Sequence, residues 1–348
     1  MWEVTVGAPA RLRGDLRDIT LEPITGEAAT VVPLPVWLGG HAHLRVYGLG
    51  LGALLRQRWD VVHCWEEPYV LAAAQIARGI PSAARFVPAT FQNIAKQYPA
   101  VVSAIERRVM DRADGWIAFG ETVFDTHRDR PGYASKPSRV INPGVDTAAF
   151  RPDAGARQRI RARLGWTLND KVAGFTGRFV AEKGIATLLD ALTKSVTPWN
   201  LLFVGGGPMF HEIEAVRARF PSRLRIVTDV PHDEVPDYLN AMDILCAPSR
   251  STPRWREQFG RMLIEAMACG VPVLASPSGE IPHVVAGAGV LVAEDDTAAW
   301  AHEIDRLLSD DRARAGLSAL GVERARAAFA WPVVARAHLD FFAELLAR

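Results

Sequence analysis

Glu257 and Glu265, a Glu-x7-Glu pair near the carboxyl end of the chain, are the residues whose placement most clearly asks for a ligand. Glu257 stands in a polar loop. Glu265 stands inside Met262-Leu263-Ile264-Glu265-Ala266-Met267-Ala268-Cys269, an almost wholly apolar helical run. An ionised carboxylate loses its hydration on burial, so Glu265 requires a bound ligand or a buried donor. Sugar or ribose hydroxyls are donors of that kind. Gly260, just ahead of Met262, lets N–H groups at a helix start face a phosphate, and Gly270 and Pro272 close the same helix. These residues also fit a plainer reading, a capping acid beside a chance buried acid.

A second constellation is Gly177-Arg178-Phe179-Val180-Ala181-Glu182-Lys183-Gly184, which follows a strand-like run and precedes a helical one. Arg178 and Lys183 would set two cations beside a helix start, a combination suited to a diphosphate. Taken alone, the segment reads equally well as a solvated strand-to-helix loop. It matches neither a Walker A loop nor a GxGxxG fingerprint, so P-loop and nicotinamide readings lose their main support. Leu202-Phe203-Val204-Gly205-Gly206-Gly207-Pro208 and Ala247-Pro248-Ser249-Arg250 are further strand-to-loop transitions, the first also explained by a tight turn.

The elements that must position these residues alternate along the chain. Apolar, β-branched runs at residues 3–6, 29–34, 61–64, 84–87, 115–119 and 138–141 are separated by helix-length segments, which predicts a parallel sheet with crossover helices. After Asn142-Pro143-Gly144-Val145-Asp146 and an Arg-rich stretch at 151–165 the pattern restarts. Strands are expected at 171–176, 201–204, 224–227, 244–247, 273–275 and 289–292, with helices at 184–194, 208–220, 235–242, 262–269 and 297–308. Residues 333–346 carry Val334, Ala337, Phe341, Phe342 and Leu345 near helical spacing, an amphipathic terminal helix.

Composition bounds the function. The 348 residues are 49% hydrophobic and 23% charged, enough for large cores and two domains rather than one. A net charge of +1 without a Lys/Arg tract gives no electrostatic reason to expect nucleic acid. The three cysteines, Cys64, Cys246 and Cys269, lie far apart in or beside apolar runs and form no metal spacing; they read as buried thiols of a reducing compartment. No run reaches membrane-spanning length and the start lacks the pattern of a signal peptide, so a cytoplasmic location is expected.

Together, Asn142-Pro143-Gly144-Val145-Asp146-Thr147 with Phe150-Arg151-Pro152, Gly177-Arg178 with Glu182-Lys183-Gly184, and Glu257 to Glu265 running on into Ala266-Met267-Ala268-Cys269-Gly270-Val271-Pro272-Val273 resemble the retaining GT-B glycosyltransferases of glycosyltransferase family 4. The resemblance covers nearly the whole chain in order. It implies two Rossmann-like, doubly wound α/β domains with a cleft between them: an acceptor-side domain at 1–160, a nucleotide-sugar domain at 166–328, and a terminal helix at 329–348 crossing back to the first. Arg178, Lys183 and Glu257 would be catalytic. Gly177, Val230, Gly260, Arg261, Met262 and Glu265 would bind the donor, a UDP- or GDP-sugar, with no metal and no cofactor.

On the acceptor side Glu67, Tyr69 and Gln92 fall at strand ends, with Gln92 where many relatives carry a sugar-contacting His. Structural roles for these three fit as well as substrate contact. The opening Trp2-Glu3-Val4-Thr5-Val6-Gly7-Ala8-Pro9 resembles the family's second strand, so its usual first strand, Gly-rich loop and helix are expected to be missing. The function implied is sugar transfer from a nucleoside diphosphate to an acceptor hydroxyl, with peripheral membrane contact compatible and oligomeric state unread. Two alternatives stand beside it: a donor-binding protein with little or no catalysis, and another GT-B enzyme such as a phosphorylase or epimerase.

Overall fold

The computed structural model of the chain describes residues 2–13, 18–21, 29–38 and 43–348. It divides into two compact units. The first comprises Met1–Phe119, Val123–Ile141 and His338–Arg348, and the second Gly120–Thr122 and Asn142–Ala337.

The chain begins with β1 (Thr5–Pro9), β2 (Arg11–Arg13), β3 (Asp18–Thr20), β4 (Thr30–Leu34), β5 (Val36–Trp37), β6 (Val46–Tyr47) and helix α1 (Gly50–Leu55). Regular alternation follows, with β7 (Val61–Cys64), α2 (Leu71–Gly79), β8 (Arg85–Thr90), α3 (Ala100–Arg112), β9 (Trp116–Ala118), α4 (Glu121–His127) and β10 (Ser138–Val140). Strands β10-β9-β8-β7 form one parallel sheet in that order, and among the described residues β1 pairs in parallel with β4 alone. The pairs β2-β3 and β5-β6 are antiparallel. Phe86, Val87, Ala89, Ile117 and Ala118 are fully buried, which is why β8 and β9 read as continuous apolar runs rather than alternating ones. The first unit's core joins Leu55, Ala73, Phe86, Val109, Met110 and Trp116.

The second unit opens on α5 (Ala154–Leu164), a helix started by the Asp153 side chain accepting from the Ala156 N–H and stopped by Gly165 at φ +78°. Next come β11 (Val172–Arg178), α6 (Ile185–Lys194), β12 (Asn200–Gly206), α7 (Phe210–Arg219), β13 (Leu224–Val227), α8 (Val235–Asn240) and β14 (Ile244–Ala247). The chain continues through α9 (Arg261–Ala268), β15 (Val273–Ala275), α10 (Ile281–Val285), β16 (Gly289–Leu291), α11 (Thr297–Ser309), α12 (Asp311–Arg324) and α13 (Trp331–Leu346). The sheet is six-stranded, parallel throughout and ordered β13-β12-β11-β14-β15-β16.

Fully buried Arg161 ties α5 to this sheet. Its Nη2 lies 2.8 Å from Asp243 Oδ2, while Asp243 Oδ2 also accepts from the Val172 N–H at 2.7 Å. Among the described residues no helix is long and apolar enough to cross a membrane. In α13, Phe341 and Leu345 pack closely on Gly115 of β9's approach, and the helix from His338 onward clusters with the first unit.

Candidate active site

In the second unit the strand order reverses between β11 and β14, and open α/β sheets bind ligands outside the carboxyl ends of strands at such a reversal. β11 ends on Gly177 and Arg178. β14 runs out through Ala247 into Pro248 and Ser249. The two loops are locked to each other through backbone. Gly184, at φ +68°, sits so close to the Pro248 carbonyl that a Cβ would come within 1.7 Å of its oxygen. The Arg250 N–H donates to the Glu182 carbonyl at 2.8 Å.

Lys183 and Glu257 meet at this junction. Lys183 Nζ lies 2.5 Å from Glu257 Oε2, and the Ser249 hydroxyl donates to the same oxygen at 3.0 Å. The side chains are only 12% and 8% exposed, so their attraction is weakly screened. Trp255 lies against the cation, its ring centroid 5.4 Å from Nζ. Glu257 is fixed from behind: its carbonyl accepts from the Glu280 N–H at 3.0 Å, and Gly279 at φ +54° passes close beneath it. Beside the pair, Arg178 is exposed at the tip of β11 and faces Gly206 in register. Among the described residues, no atom apart from the adjoining residues lies within 4 Å of where a Cβ of Gly177 or Gly206 would stand, which leaves open space at the ends of both strands.

Gly260, at φ +82°, starts α9. Arg261 is exposed there and Met262 packs against the core. First-turn N–H groups of a helix have no partner within the helix and carry the positive end of its dipole. One turn on, Glu265 is buried at 8% exposure. Its Oε1 stands 3.8 Å from Arg261 Nη2 and 3.9 Å from His232 Nε2, too far for hydrogen bonds. Burial raises its pKa, against the opposing pull of Arg261 and His232. Val230 packs against the same core two residues before His232.

The structure thus brings Lys183 to Glu257, sets Arg178 and Gly177 at the neighbouring strand tip, and strings Gly260, Arg261, Met262 and Glu265 along one helix. Ser249, from the Ala247-Pro248-Ser249-Arg250 transition, joins them, as do Trp255, Gly279 and His232, which the sequence did not single out. Ser249 was legible as a residue just past a buried strand, though not its bond to Glu257; Trp255 and His232 owe their places to tertiary contacts.

Glu67, Tyr69 and Gln92 lie in the first unit, just past the ends of β7 and β8. The Glu67 carboxylate accepts from the Thr90 hydroxyl and the Phe91 N–H, both at 2.8 Å. Burial pushes its pKa up to about 7 despite those two donors, with Glu106 adding to the rise. Burial, and then the Glu67 charge, push the Tyr69 phenol up to about 12. Gln92 Oε1 accepts from the Ile94 N–H at 3.1 Å. The three cysteines are buried thiols, with Cys64 and Cys269 pushed up to about 12 by burial and held uncharged at neutral pH.

Two family models cover most of the chain: Glycosyltransferase Family 4 matches residues 2–149, and Glycosyl transferases group 1 matches residues 156–322. A D-inositol 3-phosphate glycosyltransferase of Xylanimonas cellulosilytica is 31% identical over 333 residues, which cover 91% of this chain and 72% of that one. The chain belongs to glycosyltransferase family 4. Another relative, the alpha-maltose-1-phosphate synthase of Mycolicibacterium smegmatis, is 29% identical over 92% of this chain and 80% of its own. The crystal structure of Anabaena Alr3699/HepE in complex with UDP matches with a TM-score of 0.72 at 19% identity, covering 91% of this chain and 87% of that one. That last likeness is one of fold. This family 4 chain is a glycosyltransferase of GT-B architecture, with a Rossmann-like organisation in its parallel sheets.

Proposed function

We propose that this family 4 enzyme transfers a sugar from a nucleoside diphosphate donor, UDP- or GDP-linked, to an acceptor hydroxyl, with retention of anomeric configuration and without a metal ion. The second domain, residues 166–328, holds the donor. The first, residues 1–160, holds the acceptor, and residues 329–348 return to it. The observation that carries this reading is the Lys183–Glu257 contact of 2.5 Å at the reversal point of the second unit's sheet.

The chemistry follows from charge. As the bond between the anomeric carbon and the diphosphate oxygen breaks, negative charge gathers on the diphosphate and the sugar becomes oxocarbenium-like. Arg178, Lys183 and the first turn of α9 stabilise that charge, and their placement before reaction removes the cost of reorganising solvent. Lys183 turns from Glu257 to the diphosphate, and Glu257 accepts from sugar hydroxyls in its stead. Glu265 accepts from the ribose diol while Gly177 and Gly260 let backbone close on the donor; Val230 flanks the base. The acceptor oxygen attacks on the face the diphosphate leaves, and the departing phosphate oxygen takes its proton, so no separate protein base is used. The buried uncharged thiols accord with a cytoplasmic enzyme.

A screen of UDP- and GDP-sugars for hydrolysis and transfer tests the reading. Lys183→Ala and Glu257→Ala are each expected to lower turnover about a hundredfold or more while the chain still unfolds cooperatively. Full turnover in both variants would contradict the site. Nucleotide binding without turnover in the unmodified chain would favour a binding protein instead.

A further inference from the structure

The proposed function puts the acceptor on the first unit, and the inference here rests on that reading. Three neighbouring parallel strands, β7, β8 and β9, each deliver an aromatic ring just past their carboxyl ends: Trp65, Phe91 and Phe119. The rings form one tilted platform, Trp65 at 57° and Phe91 at 36° to Phe119, with His338 nearly parallel to Trp65 at 6.3 Å and His63 5.8 Å from it between centroids. Phe119 is buried at its centre, 4.9 Å from the Trp65 ring and 4.2 Å from the Phe91 ring between centroids. Trp65 remains 49% exposed although a large apolar ring gains from burial, and it does so at a strand end, where sheets of this kind take ligands.

The polar groups beside the platform decide what it can take. Glu67 accepts from the Thr90 hydroxyl and from the N–H of Phe91, one of the three ring residues. Among the described residues, two guanidinium groups on this side of the unit are matched: Arg45 Nη2 is 2.5 Å from Glu66 Oε2, and Arg130 Nη2 is 2.7 Å from Glu106 Oε2. Among the described residues, Lys96 is exposed four residues beyond Gln92 in sequence and is a cation that a phosphate could draw on. A phosphate on these strand ends would face carboxylates and the negative faces of aromatic rings. A neutral ring would instead lay its C–H face on the indole and turn hydroxyls toward acceptor atoms.

We propose that Trp65 forms the face of an acceptor subsite in the first unit that stacks a neutral sugar or cyclitol ring and disfavours a phosphorylated one. Trp65 is then a specificity-determining residue, with Phe119 and Glu67 positioning the surface around it.

Saturation-transfer NMR and calorimetry on the full chain test this with methyl α-D-glucopyranoside, glucose 1-phosphate and UDP as probes. The glycoside is expected to bind, and to bind at least about tenfold more tightly than glucose 1-phosphate. Trp65→Ala is expected to weaken the glycoside about tenfold, Trp65→Phe to restore it to within about threefold, and neither to change UDP affinity. Lys96→Ala should leave glycoside binding as it was. Absence of glycoside binding, its retention in Trp65→Ala, its loss in Lys96→Ala, or preference for glucose 1-phosphate would each overturn the proposal. Failure of UDP to bind the unmodified chain would refute the donor reading instead, and the comparison of glycoside with sugar phosphate would still decide the stacking subsite.

Discussion

Lys183 and Glu257 each carry a charge into a place where either alone would be costly, so their contact is a statement about stability as well as chemistry. Side chains 12% and 8% exposed retain little hydration, and removing one partner of such a pair typically costs about 3–5 kcal/mol. Lys183→Met is expected to destabilise the chain by about 3 kcal/mol in urea unfolding, and Lys183→Met with Glu257→Gln to recover part of that loss; additive losses would mean the pair is not coupled. Glu67 offers a second residue-scale test. Its folded pKa of about 7 lies above the ordinary 4.5, so the neutral buried acid contributes stability fully below pH 4.5, and that contribution is lost as pH rises through about 7. The shift corresponds to about 3 kcal/mol, and Glu67→Gln should remove this slope from a plot of unfolding free energy against pH; an unchanged slope would show that Glu67 ionises freely. At this scale the sequence spoke where chemistry conflicted with pattern: an acid inside an apolar helix is visible at Glu265, and two cations in a short loop at Arg178 and Lys183. Trp255 and Trp65 carry no such conflict. Their importance depends on which rings and charges the fold brings beside them.

The elements differ in how plainly they could be read. The expected strands at 224–227, 244–247 and 273–275 coincide with β13, β14 and β15; the inner strands β14 and β15 are apolar throughout because helices cover both faces, whereas edge strand β13 carries Arg225. Strand β1 is displaced toward Pro9 from the expected 3–6, and the two-residue strands β5 and β6 and the helix α12 were not anticipated. In α12 only Gly321 is buried, so there is no apolar stripe to see, and its start is set by Asp310 accepting from the Ala313 N–H. Most of the Arg-rich stretch at 151–165, after which the strand pattern restarts, is α5, whose Arg161 is a core residue. Its partner Asp243 accepts from Arg157, Arg161 and the Val172 N–H, so Asp243→Ala is expected to cost about 3–5 kcal/mol by denaturant unfolding; less than about 1 kcal/mol would place the network outside the core. The loops after β11 and β14 depend on Gly184. Its left-handed backbone and its closeness to the Pro248 carbonyl leave no room for a side chain, so Gly184→Ala should lower both stability, by about 2 kcal/mol, and turnover.

At the scale of the whole molecule, the proposed donor residues from Gly177 to Glu265 all lie in the unit formed by Asn142–Ala337, while Glu67, Tyr69 and Gln92 lie in the other. The doubly wound architecture was legible because strand and helix signals alternate twice along the chain, with turn chemistry at Asn142-Pro143-Gly144 between the two series. Acceptor recognition was less so, since strand-end aromatic and amide residues serve packing and binding alike. If Lys183 acts on the diphosphate of a nucleotide donor, calorimetric titration of UDP, GDP and their nucleosides into the unmodified chain and Lys183→Ala will reveal it. The preferred diphosphate is expected to lose affinity by about tenfold or more in Lys183→Ala while its nucleoside binds as before. Equal loss for nucleoside and diphosphate, or no loss for either, would contradict it.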